Sequence, residues 1–184
     1  MNLFAYLLPL ASLFATASTQ SPLGYWLIYT AEGDPSSIVE VKKATDGTLF
    51  GIVVAGVYTG NLHEHEFCEA CSDDTYNGTY GIRKGEEVLG KSFMWGFERK
   101  KHSNTWKHGH MLRVKTGTVY PTTITFDPHS PDSLKVDLYV GFFSKSVYWK
   151  RITKPRYESL CRGVNPIVYE GDTYKTTCID QNSY

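Results

Sequence analysis

Hydrophobic and polar positions along this chain repeat with a period of two far more often than with a period near 3.6. Residues 25–30 are aromatic and β-branched and follow Gly24. Residues 38–43 come after the turn signal Gly33-Asp34-Pro35, and Asp46-Gly47 joins them to residues 49–57 as a hairpin. Further runs cover 88–97, 105–114 and 119–126, separated by Lys100-Lys101-His102-Ser103-Asn104 and by Lys115-Thr116-Gly117. Beyond a Pro-rich loop at 127–132, Leu134, Val136, Leu138 and Val140 alternate with Ser133, Lys135, Asp137 and Tyr139, the pattern of a strand with one wet face. Residues 141–145 turn the chain into a last run at 146–152. Residues 60–85 break the series as a long polar connection, of a length that is usually functional or cross-linked inside a compact domain.

Eight short strands without crossover helices predict an all-β domain over residues 23–152. The architecture is an eight-stranded antiparallel up-and-down barrel; the same pattern also suits a two-sheet sandwich. Pro155 and Pro166 argue against one long helix across the tail, residues 153–184, which is expected to pack outside the barrel wall.

Composition adds a compartment. Residues 3–14 are an apolar run, too short to span a bilayer, and Ala15-Thr16-Ala17 fits signal peptidase cleavage. Residues 1–17 therefore read as a signal peptide and the mature protein as exported, periplasmic or secreted. No later stretch is long enough to be an integral membrane segment. Nor is a nucleic-acid partner indicated, since Lys plus Arg equal Asp plus Glu at 19 each. In an oxidising space the four cysteines become disulfide candidates with three possible connectivities. Pairing Cys161 with Cys178 closes a modest loop in the tail and leaves Cys68 and Cys71 as a tight local bridge or as free thiols. Asn77-Gly78-Thr79 is a glycosylation sequon, meaningful only in a eukaryotic secretory route.

Several motifs in shared order resemble a known family. Gly24-x-Trp26 at the first strand and Trp149-x-Arg151 at the last look like the lipocalin-like (calycin) pattern. Cys68-Glu69-Ala70-Cys71, the segment from Gly90 to Phe97, the positions Trp106, Gly109, Gly117 and Tyr120, and Tyr139-Val140-Gly141-Phe142 resemble a family of small exported bacterial proteins of uncharacterised function with that fold. Arg113-Val114 stands where that family usually has Asp-Pro, Glu87 where Pro is common, and the tail cysteines are an addition. The resemblance implies a barrel with an interior cavity and small-molecule binding. It implies no established reaction.

Candidate chemistry follows from these positions. In a barrel closed at one end, Gly24, Trp26, Trp149 and Arg151 read as a structural latch, with the guanidinium stacked on the indole. Trp95, Phe97, Met111, Tyr120 and Phe126 lie in the central strands and are the candidate lining for a small hydrophobic or amphipathic ligand. His63, His65, Cys68 and Cys71, with three Glu between them, supply a second reading, a metal-binding or thiol-redox centre. The short spacing is unlike the usual paired-ligand zinc arrangement, and neighbouring Glu66 and Glu69 would raise a thiol pKa, so a structural disulfide is favoured there. His108 and His110 would share one face of a regular strand. A third reading is a protein-interaction module using the 60–85 connection and the tail. No nucleophile or phosphate-binding motif is present, so neither an enzyme nor a cofactor is expected.

Overall fold

The computed structural model describes residues 21–30, 32–59, 66–73, 79–127 and 129–179. Eight strands form the ring: β1 (Gly24–Tyr29), β2 (Pro35–Lys43), β3 (Leu49–Thr59), β4 (Ser92–Arg99), β5 (Thr105–Arg113), β6 (Thr118–Phe126), β7 (Ser133–Val140) and β8 (Phe143–Ile152). Each pairs antiparallel with its sequence neighbours, and β1 pairs with β8, Trp26 opposite Arg151, so the sheet closes. Closure removes the exposed edges that an open sheet would carry.

The fourth strand starts later than its hydrophobicity suggests. Residues 88–91 instead lie against β3, where the Val53 amide donates to the Lys91 carbonyl and the Gly90 amide to the Val53 carbonyl. The β3–β4 register then slips at Phe93 and again near Gly96, whose φ is +74°. These bulges pull β4 away from the far half of β3. The vacated edge is taken by the tail.

That tail is more ordered than the sequence implied. Helix α1 (Lys154–Cys161) ends before Pro166; Pro155 sits in its first turn, and the Thr153 side chain accepts the Arg156 amide as an N-cap. Two strands follow, β9 (Ile167–Tyr169) and β10 (Asp172–Cys178), and β10 pairs with β3 from Thr59 to Ala55. Tyr157 stacks on Tyr25 of β1, ring centroids 4.4 Å apart, and its hydroxyl donates to the Val54 carbonyl.

Two cores result. One fills the barrel with Trp26, Val39, Phe97, Ile124, Phe126, Leu134, Val136 and Trp149, all essentially buried. The other lies between wall and tail and contains Leu27, Ile38, Val54, Ala55, Tyr157, Leu160, Ile167 and Tyr174. Strands β1 to β3 therefore bury both faces.

Candidate functional site

The closed end gathers the first and last strands. The Arg151 guanidinium lies 4.1 Å from the centroid of the Trp26 ring and 5.6 Å from that of Phe126. It donates to the carbonyls of Ser21, Leu23 and Pro131, tying the incoming chain to the loop before β7. The Trp26 indole donates to the Pro22 carbonyl at 2.8 Å. Gly24 has φ +112°, and a Cβ there would point at the guanidinium. Desolvation lowers the Arg151 pKa, opposed by Asp132, but an arginine remains charged at any physiological pH. Trp149 is buried two residues before Arg151 on the same strand, its ring 6.2 Å from that of Phe93.

Of the five aromatic and Met candidates, Trp95, Phe97 and Phe126 belong to the core that fills the barrel, Met111 packs against it, and Tyr120 lies beside Met111. Phe97 is fully buried against the backbone of Gly109, where any Cβ would collide with its ring. Phe126 sits at the closed end beneath Arg151. Trp95 pairs directly with His110, and their rings stack at 5.9 Å and 14°. Trp95 is only 3% exposed and belongs to that core, with the ring of the exposed His110 stacked against it. Met111 and Tyr120 are cross-strand partners and remain half-buried.

The open end carries a cavity of its own. An open cleft of about 640 Å³ lies between β2, β3 and the folded-over connection. Val53, Val57, Phe67, Val88 and Leu89 supply apolar wall, while Ser37, Glu66, Glu87 and Lys115 supply polar groups. The connection is held by its own short ladder, with the Val88 amide donating to Glu66 and the Cys68 amide to Glu86. Solvent still reaches Glu66, yet its carboxyl group is crowded enough that desolvation raises its pKa, with Lys115 opposing. Sequence reading missed this cleft because its wall is assembled from six separated segments. The available signals were the unbroken apolar run at 52–57 and the Val88-Leu89 pair inside a polar stretch.

All four cysteines are paired, Cys68 with Cys71 and Cys161 with Cys178. The first bridge packs against the turn between β5 and β6, where the Ala70 carbonyl meets Gly117 so closely that no Cβ would fit. His63 and His65 lie outside the described residues, as do residues 1–17 and Asn77. Among the described residues no cluster of metal-ligating side chains occurs. A bulge lies between Trp106 and Gly109, with His108 at φ +62°, yet His108 and His110 are both exposed and border one shallow surface groove.

A protein-family model, DUF2147, described as an uncharacterized protein conserved in bacteria, matches residues 24–151. The chain belongs to this family. No curated protein sequence matches it. Among solved structures, this member of DUF2147 is similar to protein HP1028 from the human pathogen Helicobacter pylori, described as belonging to the lipocalin family. The likeness has a TM-score of 0.56 at 12% identity and covers 81% of this chain and 93% of that one. At that identity it speaks for the fold alone, a lipocalin-like barrel. Both disulfides are compatible with export from a bacterial cell, and no helix among the described residues is long and apolar enough to cross a membrane.

Proposed function

We propose that this protein is an exported, non-enzymatic binding protein that holds a small amphipathic molecule at the mouth of its barrel. The observation that carries the reading is the 640 Å³ cleft, where an aliphatic wall faces Ser37, Glu66, Glu87 and Lys115. A wall of this kind desolvates an apolar body while a few polar groups orient its head. Of the candidate lining from the sequence, Met111 and Tyr120 are half-buried and could extend such a site inward, whereas Phe97 and Phe126 belong to the packed base. The latch of Gly24, Trp26, Trp149 and Arg151 has a structural role in this reading. Residues 1–17 are removed on export.

Native mass spectrometry of the exported protein, purified from its own source, tests the proposal. A retained small molecule that disappears in Val57→Trp, a substitution that fills the cleft, is the expected result. Protein that carries no small molecule, or a molecule retained equally by Val57→Trp, would overturn it.

A further inference from the structure

The outer face of β3 is packed at two places and only half covered between them. Leu49 and Val53 belong to the barrel core, so alternation puts Phe50 and Ile52 outward, opposite Lys42 and Glu40 of β2. Farther along β3 the tail closes over Val54. On the other side the connection returns to the wall, and Tyr80 tilts against Phe50 with ring centroids 5.5 Å apart. What remains is an open groove of about 690 Å³. Phe50 and Ile52 form its floor, and Tyr80, the β2–β3 turn and residues 90–92 form its walls. It shares no residue with the cleft at the mouth.

The rim of this groove is unequally charged. Lys43, Arg83 and Lys91 line it, against the single acid Glu86. Both oxygens of Glu86 are already engaged: one accepts from the Lys91 ammonium and the other from the Arg83 backbone amide, each at 2.9 Å. Burial and then the charge of Asp46 raise the Tyr80 pKa, so that acid lies near the groove too. Its carboxylate accepts from both the amide and the hydroxyl of Thr48. Beside the floor, Glu40 and Lys42 pair with each other at 3.6 Å. The Arg83 guanidinium and the Lys43 ammonium are left, both exposed and without an ion-pair partner among the described residues.

The floor and the rim ask for one kind of guest. Two aromatic rings and an isoleucine make a corner that takes a flat apolar body by stacking or by edge contact. Two uncommitted cations at the rim complement a negative group, and a guanidinium matches the paired oxygens of a carboxylate or a phosphate. A cationic guest would meet the same two charges as repulsion. A wholly apolar guest would leave both unused.

We infer that this groove on the outer wall of β2 and β3 is a second binding site, for a small organic anion with an aromatic body. Phe50, Ile52 and Tyr80 hold the body, and Lys43 and Arg83 orient the negative group. The inference stands apart from the ligand reading of the mouth, since the two sites have no residue in common.

Amide NMR of the exported chain tests it, with naphthoate as the probe and naphthylmethylammonium as a cation carrying the same ring. Naphthoate is expected to shift the amides of residues 50–52 and 80–83 saturably, and the cation to leave them in place. Lys43→Glu/Arg83→Glu should weaken naphthoate binding at least about ten-fold. Both positions are solvent-exposed, so the thermal unfolding midpoint should not move, which separates lost binding from lost folding. Val57→Trp, which fills the cleft at the mouth, should leave the titration unchanged. Absence of a saturable shift at these residues, equal shifts with the cation, or equal binding by the double variant would overturn the inference. So would shifts confined to residues 53–58 and 87–89 that Val57→Trp abolishes, because the anion would then sit in the mouth.

Discussion

The barrel has two unlike walls. Strands β1 to β3 are covered by the tail, and adjacent residues on them enter different cores: Trp26 faces the barrel interior and Leu27 faces the tail. Strands β7 and β8 carry no such cover. There Leu134 and Val136 are buried, while Lys135 and Asp137 on the other face form an ion pair. The difference was written in the hydrophobic pattern. Residues 49–57 form an almost continuous apolar run, as strands buried on both faces do, whereas 133–140 alternate cleanly. An unbroken run in an otherwise alternating barrel thus marks where something packs outside.

The largest expected effects break this contrast residue by residue. Trp26→Ala should cost about 3–5 kcal/mol, from a fully buried indole, and Leu27→Ala about 2–5 kcal/mol although it is the next residue along. Urea unfolding measures both. If Leu27→Ala proves no more costly than an outward change on the bare wall, the tail does not form a core. Next is the cross-link that pins the cover. Cys161→Ser/Cys178→Ser opens a loop with a sequence separation of 17, and about 3 kcal/mol of stability should be lost. Amide exchange along residues 55–59 should quicken at the same time, since those residues pair with β10.

Smaller effects sharpen the bare side. Lys135→Ala removes an exposed ion pair with Asp137 and should change stability by less than about 1 kcal/mol. The smallest expected effect is pH-dependent. Desolvation raises the Glu66 pKa, so the folded state binds the proton more tightly than the unfolded chain. Stability from this group is therefore full below the ordinary glutamate value and is lost as pH rises through the folded value. Glu66→Gln should flatten the unfolding midpoint across that window. An unchanged slope would show that the carboxyl is not desolvated.

Much of the fold was legible because a barrel strand repeats one local rule. The turn signals Gly33-Asp34-Pro35, Asp46-Gly47 and Lys115-Thr116-Gly117 each fall where a turn is found, and the last strand returns to the first through Trp26 and Arg151. The bulges at Phe93 and His108 were not legible. Each slips the register by a residue, and a one-residue slip changes which face a side chain occupies. The Trp95 ring stacks on that of His110, its partner across the ladder.

By itself, then, the sequence determined the eight strands of the ring, the closing pair and the cysteines available for cross-links, because all of these follow from periodicity and residue type over a few positions, whereas the tail's helix and two strands did not. Only the tertiary structure decided where the free space lies. None of the five candidate residues from the central strands borders the cleft at the mouth, which lies among Val57, Phe67 and Leu89. The physical reason is that a cavity is what remains after distant segments have packed, and no local pattern records that remainder.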